Sequence, residues 1–511
     1  MTSGASAPRA PRRPGRGGEA TQVVVVGAGI GGLAAAVRLA HAGYAVTLVE
    51  RHSIPGGRAG IWKSDGFTFD TGPSMVMMRE CWDDLFQAVG RRLKDYLTLV
   101  QCDPCYRLHF ADGSRLEMTS DLPQLVANLE RIEPGCGRRA FEWLAHTGEL
   151  YRRGIAFIRR DMHRPLAMLQ VGQMGLRYGR SALGDLQAMV RRFFTDERLR
   201  QAVTFQSLYL GLSPYNSLGI YGLLAHTEIA GGIYYPLGGM HQLALALERV
   251  GEELGVRYHY GTPVTDLVRD GRRVNAVRLE DGREIKGNVI IANSDLPYTY
   301  ARLLGEPYPG IQQKSFSCSV VLLYLGVGRT YPQLLHHNLI VSRDLAESCR
   351  LLCDDHRMPE DPPFYVVATT RTDPGQAPPG CESLFVLVVA PSQDPERPID
   401  WSVEGPRVER RTLERLEALG CRGIRRHIVT KRLFTPSDFT SEFGNLRGEA
   451  FGLAHGFRQI GYFRPHNRHA RYRNLYFVGQ STHPGCGLPM VLISAELAAA
   501  RIGREVPTRS T

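Results

Sequence analysis

The chain has 511 residues, of which 43% are hydrophobic and 22% charged, and its formal net charge at pH 7 is +11. This composition excludes a disordered chain, and the length exceeds what one ordinary core organises, which predicts two or three domains. The positive charge is a surplus of arginine without a nucleic-acid-binding signature, so we expect no nucleic acid partner. The longest apolar runs fall short of the ~18–20 residues that cross a bilayer, so no membrane span is predicted.

The first twenty residues and the cysteines carry no sign of secretion or of a metal. Residues 1–20 combine Pro, Gly, Ala and Arg without an apolar stretch, which predicts a disordered basic leader rather than a secretory signal. Cys102 and Cys105 form a C-x-x-C pair, and no second pair follows at zinc-site spacing. We therefore expect unpaired thiols in a reducing cytosol and no metal site.

The segment 21–60 carries the pattern of a dinucleotide-binding unit. Val23–Val26 are typical of a buried parallel strand, and Gly27, Gly29 and Gly32 follow in G-x-G-x-x-G register before an alanine-rich helix. A second strand ends at Glu50, near the ~20-residue spacing expected for a ribose-binding carboxylate. The glycines permit the turn, the close approach of a pyrophosphate and the packing of helix on strand. The helix N-terminus presents N–H groups and partial positive charge to the phosphates.

The acid at Glu50 favours FAD or NAD over NADP, and the next stretch decides between these two. Gly56, Gly57 and Arg58 lie just beyond the acid, and GFTFDTGPSM follows. This arrangement resembles the extended FAD fingerprint of the glutathione-reductase-like flavoproteins of the amine oxidase and carotenoid desaturase type. No second dinucleotide fingerprint follows in the sequence. We therefore expect no NAD(P)H domain, and a membrane quinone or molecular oxygen as electron acceptor.

The stretch 152–192 has the composition of a basic amphipathic surface. It holds nine arginines against Asp161 and Asp185, interleaved with Ile, Phe, Met, Leu and Tyr. Such a segment suits an anionic membrane leaflet, and an ordinary solvated face is the alternative. The neighbouring FQSLYLGLSPYNSLGIYGLL is rich in apolar side chains, which suits either a chamber for an apolar substrate or an ordinary core.

Later strands are predicted to return to the nucleotide-binding sheet. From residue 256 onwards, alternating strands are separated by Asp270-Gly271 and Asp281-Gly282, which are hairpin signals, and NVIIANS and NLYFVGQS have the character of buried strands. The predicted fold is therefore α/β: a Rossmann-type FAD-binding domain of the glutathione-reductase and amine-oxidase class, assembled from discontinuous segments, with an inserted α+β substrate domain. We assign 21–130, 236–300 and 470–505 to the FAD-binding domain, and 131–235 and 301–469 to the substrate and membrane-associated domain.

The C-terminal THPGCGLP loop is predicted to act through its backbone. A turn at Gly479 and a helix beginning near Leu488 put a helix N-terminus beside the pyrimidine edge of the flavin, where negative charge collects on reduction. Gly487 keeps the backbone close to that edge. His483 is interpreted as a packing or hydrogen-bonding residue rather than a metal ligand, and Cys486 as a small space-filling residue.

Ordered motifs along residues 21–505 resemble the bacterial and fungal-type phytoene desaturases, which are FAD-dependent carotenoid desaturases. Beside the N-terminal fingerprint these motifs are YYPLGGM, SCSVVLLYLGV, IDWSVEGPRV, FTPSDF, GYFRPHNR and THPGCGLP; in the last, Cys486 stands where the family has Ala, Ser, Thr or Val. The resemblance implies stepwise desaturation of phytoene, a lipid-soluble polyene, through phytofluene and zeta-carotene to lycopene or neurosporene. Together with the basic stretch 152–192, a lipid-soluble substrate predicts a peripheral, monotopic enzyme on the cytoplasmic side of the membrane.

The resemblance further implies the chemistry and its residues. The C–H groups of the polyene are too weakly acidic for a side chain to deprotonate first, so we expect hydride transfer to flavin N5 and then proton loss from the neighbouring carbon. The family's use of an acid beside arginines makes Asp161, between Arg160 and Arg164, the candidate proton acceptor; a salt-bridged solvent face is the alternative. The expected FAD contacts are Gly27, Gly29, Gly31, Gly32, Glu50, Arg51, Gly57, Arg58, Gly72, Pro73, Val264, Gly479, Gly487, Leu488 and Pro489.

The same scaffold serves other functions, and several alternatives stay open. C30 desaturases, later-pathway dehydrogenases, carotenoid isomerases and ketolases share it, and so do flavin amine oxidases, although the sequence suggests no amine-binding aromatic cage. A prenyl-binding carrier of the same fold is the non-enzyme alternative. The complete set of Gly27, Gly29, Gly32, Glu50 and Arg58 favours an enzyme over a carrier. The sequence leaves the number of desaturation steps and the oligomeric state open.

Overall fold

The computed structural model describes residues 20–163 and 182–508, so the predicted leader up to residue 19 and Arg164 lie outside the described residues. The strands are β1 (Gln22–Val26), β2 (Ala45–Val49), β3 (Ile61–Ser64), β4 (Phe67–Asp70), β5 (Leu99–Cys102), β6 (Tyr106–His109), β7 (Arg115–Met118), β8 (Ile233–Pro236), β9 (Arg257–His259), β10 (Val264–Asp270), β11 (Arg273–Leu279), β12 (Glu284–Lys286), β13 (Val289–Ala292), β14 (Ser319–Val327), β15 (His337–Ile340), β16 (Phe364–Ala368), β17 (Glu382–Ala390), β18 (Ile428–Phe434) and β19 (Leu475–Phe477). The α-helices are α1 (Ile30–His41), α2 (Arg79–Ala88), α3 (Leu122–Glu130), α4 (Gly137–Ile158), α5 (Leu186–Val190), α6 (Glu197–Ala202), α7 (Leu223–Gly231), α8 (Gln242–Glu253), α9 (Leu296–Tyr298), α10 (Leu345–Cys353), α11 (Trp401–Ala418), α12 (Ile424–His427), α13 (Pro436–Phe443) and α14 (Leu488–Glu505).

A five-stranded parallel sheet, in the order β19-β13-β1-β2-β9, forms the nucleotide-binding half of the molecule. Val23–Val26 in β1 are at most 6% exposed, because the sheet is covered on both faces and needs apolar side chains on both. Helix α1 returns across the sheet and packs against α8 and α14. The strands come from three separated parts of the chain, and the predicted α/β fold built from discontinuous segments is thereby confirmed.

A seven-stranded sheet, in the order β18-β14-β17-β16-β15-β6-β7, forms the other half. Its centre is the long antiparallel pair of β14 and β17, in register from Ser319↔Ala390 to Val327↔Glu382. Successive side chains in these strands alternate between the two faces. One face packs on α11, and the opposite face looks towards the centre of the molecule. Strands β6 and β7 extend this sheet, although they come from the end of the segment 21–130 that we assigned to the FAD-binding domain.

The basic stretch 152–192 is described only in part. It begins within the last turns of α4, and its central residues 164–181 lie outside the described residues. Arg152 pairs with Glu149 at 2.7 Å, and Arg159 pairs with Asp84 at 2.5 Å. Across the two described ranges, we find no helix that combines the length and the apolar character needed to cross a bilayer.

Candidate active site

The turn between β1 and α1 is built by glycines that leave no room for side chains. Gly27 has φ +102°, and a Cβ placed on Gly32 would stand 2.1 Å from the carbonyl oxygen of Gly27. Cβ atoms on Gly29 and Gly31 would meet the Asn293 side chain at 2.8 and 2.7 Å. Asn293 follows β13 and donates from Nδ2 to the Gly27 carbonyl at 3.3 Å. The N-terminus of α1 is therefore held against the end of a neighbouring strand.

The Glu50 carboxylate stabilises this turn by accepting hydrogen bonds from the backbone. Its Oε2 accepts the Ala28 N–H at 2.6 Å, its Oε1 accepts the His52 N–H at 2.9 Å, and the residue is 6% exposed. Six of the predicted FAD contacts are not among the residues that line the cavity described below: Gly27, Gly32, Glu50, Arg51, Gly57 and Val264. The expected contact of Glu50 with a ribose stays a prediction.

A second glycine-rich segment brings Arg58 into the same region. Gly56 has φ +111°, and a Cβ on Gly72 would stand 2.2 Å from the Arg58 carbonyl oxygen, so two backbone segments touch here. The Arg58 guanidinium donates to the Ala450 carbonyl at 3.1 Å. Burial lowers the pKa of Arg58, and the carboxyls of Asp295 and Glu449 partly offset this effect. Arg58 is thus a half-buried cation that belongs to a group of charged side chains.

The C-terminal loop turns at glycines and leads directly into α14. Gly479 and Gly487 have φ of +112° and +101°, and α14 begins at Leu488. A Cβ on Gly487 would meet no atom within 4 Å, so this face of the loop is open. His483 is 2% exposed and donates from Nε2 to the Ile158 carbonyl at 3.0 Å, which is the hydrogen-bonding role expected for it.

One of the residues that the sequence reasoning missed is Arg464, in the FRPHNR motif. It is 1% exposed, and its guanidinium donates to five backbone carbonyls, those of Leu453, Ala454, Gln459, Gln480 and Thr482. Two of these carbonyls belong to the loop before α14. A fully buried arginine bonded only to backbone fixes the path of the chain, and the arginine between an aromatic residue and a proline was the available signal.

One cavity of about 530 Å³ joins the two glycine-rich loops to an apolar chamber. Nine of the predicted FAD contacts line it: Gly29, Gly31, Arg58, Gly72, Pro73, Gly479, Gly487, Leu488 and Pro489. The first turns of α1 and α14 both open into it, and the N–H groups of a first helical turn lack partners within the helix. Two helix N-termini with glycines beside them suit an extended dinucleotide, and the first turns of α1 and α14 would hold FAD, which would supply the hydride acceptor when bound.

The apolar half of the cavity is walled by the inner face of the seven-stranded sheet. Val320 and Leu322 of β14 lie opposite Val389 and Leu387 of β17, and all four side chains line the cavity. Tyr365 of β16 continues this wall. The facing wall includes Leu208, Tyr209, Ile220, Leu223 and Leu224 from the FQSLYLGLSPYNSLGIYGLL stretch. These side chains therefore line a chamber, and most of them also pack against the hydrophobic core behind it.

The cavity reaches the surface between exposed aromatic side chains. Phe457 and Phe463 line it and are also 47% and 42% exposed, so they stand where it opens. Their ring centroids lie 6.3 Å apart, in two consecutive short 3₁₀ turns. Phe157 and Ile158 of α4 line the cavity as well, just before the basic stretch leaves the described residues.

Asp295 is the carboxylate that the described part of the chain places in the cavity lining. It follows β13 closely, and its Oδ1 accepts the Ser481 hydroxyl at 2.7 Å. Its Oδ2 is buried and has no hydrogen-bond partner among the described groups. Burial raises the pKa of Asp295, while the Ser481 hydrogen bond and the charge of Arg58 act in the opposite direction. Burial and the charge of Asp295 raise the pKa of the neighbouring Glu449 to about 8.

Asp161 is not among the described residues that line the cavity. Its carboxylate pairs with Arg501 and, at 2.8 Å, with Arg504, both on α14, and its side chain is 36% exposed. Neither Asp161 nor Arg160 is among the described residues that line the cavity, and Arg164 lies outside the described ranges. The proton-acceptor role of this group stays a prediction, and the contacts of Asp161 correspond to the salt-bridged alternative.

Comparisons with known proteins show the family and the fold of this chain. The family model described as flavin containing amine oxidoreductase matches residues 30–503. The chain is 46% identical over 492 residues to a zeta-carotene-forming phytoene desaturase of Myxococcus xanthus, covering 94% of this chain and 93% of that one. It is 35% identical over 492 residues to a lycopene-forming phytoene desaturase of Pseudescherichia vulneris, covering 94% and 98% of the two chains. A solved oxidoreductase from Methanosarcina mazei has the same fold, with a TM-score of 0.63 at 18% identity over 93% of this chain and 99% of that one.

Proposed function

Because the chain belongs to the phytoene desaturases of the flavin containing amine oxidoreductase family, and is an FAD-dependent oxidoreductase that desaturates carotenoids at CH–CH groups, we propose that phytoene itself is its substrate. The observation that carries this proposal is the continuity of one cavity from the two glycine-rich loops to the apolar chamber. A hydrocarbon chain in that chamber reaches the flavin end without crossing a polar barrier. FAD, when bound, supplies the hydride acceptor.

The chain's own residues have three tasks in this reaction: they bind the polyene, exclude water and accept a proton. The sheet wall around Leu322 and Leu387 binds apolar surface and keeps water away from a cationic carbon. Cys486 lines the cavity too, but burial raises the pKa of its thiol to about 11, so it stays protonated and is a poor nucleophile towards a cation. The chamber therefore lets an allylic cation lose its proton before anything adds to it.

We propose Asp295 Oδ2 as the proton acceptor. It is buried, free of hydrogen bonds to described groups and placed in the cavity beside the cofactor-binding loops. Ser481 orients the carboxylate through the other oxygen. Burial makes the carboxylate more basic, which favours uptake of a proton, and Arg58 limits the cost of its charge.

The product is the finer part of the proposal. Zeta-carotene and lycopene are both compatible with a member of this family, since the two relatives compared above form one or the other. The greater identity to the zeta-carotene-forming relative supports arrest after the early steps, while the sequence motifs predict lycopene or neurosporene. The identity of the extracted pigment decides between these outcomes.

We also propose that the enzyme is peripheral and draws its substrate from a bilayer through the opening at Phe457 and Phe463. Two half-exposed aromatic rings at the mouth of an apolar cavity suit the interface of a membrane, and the basic stretch that follows α4 suits its anionic headgroups. Replacing both rings by serine is expected to weaken binding to anionic vesicles by about tenfold. Leu446→Ser is the matched control, because Leu446 is 50% exposed and is not among the cavity-lining residues.

The deciding experiment is anaerobic. The FAD-loaded protein is mixed with phytoene in anionic vesicles, flavin absorbance is followed, and pigments are extracted. Bleaching of the flavin together with carotenes of longer chromophore supports the proposal, and a flavin that stays oxidised contradicts phytoene as substrate. Asp295→Asn is expected to retain flavin and to slow the formation of desaturated carotene about 100-fold or more, because proton loss completes each desaturation after the hydride has left. Normal carotene formation in that variant would exclude Asp295 as the proton acceptor without affecting the substrate proposal.

A further inference from the structure

Cys102, His336 and His337 converge behind the sheet wall of the cavity. The thiol sulfur and one nitrogen from each ring lie within 4.8 Å of one another, and the three residues are 4%, 6% and 0% exposed. Cys102 ends β5, whereas the two histidines stand at the start of β15, so the fold and not local sequence brings them together. The two imidazole rings are 4.3 Å apart, centre to centre.

Both histidines have one nitrogen in use and one without a partner. Nδ1 of His336 hydrogen bonds with the Thr372 hydroxyl, and Nδ1 of His337 lies 2.6 Å from the Tyr365 hydroxyl. Nε2 of each ring is buried and has no hydrogen-bond partner among the described groups. A buried ring nitrogen left without a hydrogen bond is costly, so two of them on neighbouring rings call for a partner. In metal-bound histidine the second ring nitrogen is likewise held by a hydrogen bond from outside the ligand shell.

We propose that Cys102, His336 and His337 bind one thiophilic d¹⁰ metal ion, Zn²⁺ or Cu⁺. One thiolate and two imidazoles are the donor set that both ions prefer. On binding, the Cys102 thiol gives its proton to solvent and the sulfur forms a bond to the metal, with no change of oxidation state. Bond lengths of about 2.0–2.3 Å place ligand atoms about 3.5 Å apart, so the cluster has to contract by about 1 Å.

Such an ion would stabilise the chamber wall by linking two strands behind it. Tyr365, which holds His337, also lies 3.1 Å from the Ser74 hydroxyl, and both of these residues line the cavity. The site therefore ties β5 and β15 together directly behind a wall that faces the substrate. This role is independent of phytoene as substrate, and it departs from the sequence expectation that every cysteine is a plain thiol.

Metal binding is tested on the full chain in its FAD-loaded form, stripped with a chelating resin. Zn²⁺ is titrated in competition with a chromophoric chelator, and Cu⁺ is titrated in the same way under anaerobic conditions. We expect binding of one ion per chain, X-ray absorption showing one sulfur neighbour beside nitrogen neighbours, and a higher melting temperature in the loaded protein.

Two variants have close controls. Cys102→Ser is compared with Cys105→Ser, since Cys105 is the buried partner of the same C-x-x-C and its Sγ faces the Glu228 carbonyl. His336→Gln is compared with His109→Gln, since His109 is also buried with both ring nitrogens unpartnered but stands outside the cluster.

Loss of affinity by at least about tenfold in Cys102→Ser and His336→Gln, with both controls unchanged, supports the site. Retained flavin absorbance shows that each variant is folded, and where one variant fails this check the other still decides. A wild-type protein that takes up neither ion would overturn the proposal. So would an equal loss of affinity in a variant and its control.

Discussion

The two halves of the cavity are built on opposite principles. At the cofactor end the backbone segments lie in contact with one another, and glycines such as Gly32, behind the lining, and Gly72, in it, are needed because a single Cβ would collide with a carbonyl oxygen 2.1 or 2.2 Å away. At the substrate end the lining is side chain, supplied by sheet residues such as Leu387 that have space in front of them. Substitution of these glycines at the cofactor end is therefore expected to disrupt FAD binding. Substitutions in the chamber wall are expected to change the volume available to the substrate and to leave FAD binding intact.

The largest effect is expected for Gly32→Val. The added side chain begins 2.1 Å from the Gly27 carbonyl oxygen, which belongs to the same turn and has no room to retreat. FAD binding is expected to fall by about 100-fold or more, which corresponds to about 3 kcal/mol, measured by flavin titration of the apoprotein. Gly503→Ala is the control: Gly503 lies in α14 with open space around it, so the variant is expected to bind FAD normally. Full FAD occupancy in Gly32→Val would show that the turn is less rigid than this comparison holds.

The substrate half contains a buried acid of its own, and its effect on stability depends on pH. Glu228 is 0% exposed and accepts hydrogen bonds from Tyr106 at 2.9 Å and Gln206 at 3.0 Å. Burial raises its pKa to about 7, and these hydrogen bonds offset only part of that shift. The folded protein therefore holds a proton that the unfolded chain releases above pH ~4.5, so stability falls as pH rises through about 7.

Glu228→Gln removes this dependence, since an amide does not ionise. The variant is expected to match the wild type near pH 5 and to exceed it by up to about 3 kcal/mol near pH 8, because the shift spans about 2.5 pKa units. Melting temperatures across this pH range measure the difference. Glu360→Gln, at a carboxylate that is 85% exposed, is expected to leave the profile unchanged. A constant offset between Glu228→Gln and wild type at every pH would mean that Glu228 keeps an ordinary pKa in the fold.

The cofactor end can be predicted from the sequence better than the substrate end, because only the first is built from contiguous residues. The cofactor turn is contiguous, so Val23–Val26, the glycines and Glu50 predict strand, turn, helix and second strand, and Leu488 marks the start of the last helix correctly. The chamber wall depends on the pairing of β14 with β17, some sixty residues apart in the chain, and no local pattern predicts which of their faces meets the cavity. Asp295 escaped notice for a related reason: only the return of β13 to the sheet places it beside the second glycine-rich loop.

A smaller effect is expected for Leu387→Trp, which fills the chamber from its sheet wall. The side chain of Leu387 faces the cavity, so the larger ring displaces substrate rather than core. Carotene formation is expected to fall about tenfold while FAD binding stays unchanged, or the product is expected to shift towards fewer desaturations. Leu387→Met, which conserves volume, is the control and is expected to behave as wild type. A parallel loss of FAD in Leu387→Trp would contradict the independence of the two halves.

The smallest effect is expected for Asp161→Asn, which tests the proton acceptor that the sequence nominates. Because the Asp161 carboxylate pairs with Arg501 and Arg504 at the surface end of α14, its loss removes an ion pair and not a group of the cavity lining. Arg501 is only 4% exposed and is left without its partner, so a stability loss of about 1 kcal/mol is expected despite the exposure of Asp161. Turnover of the FAD-loaded variant is expected to stay within about twofold of wild type, measured beside Asp295→Asn in the same vesicle assay. If Asp161→Asn instead loses turnover with FAD retained while Asp295→Asn keeps it, the proton leaves through the α14 side of the molecule, and the assignment of the base to the cavity end of β13 is wrong.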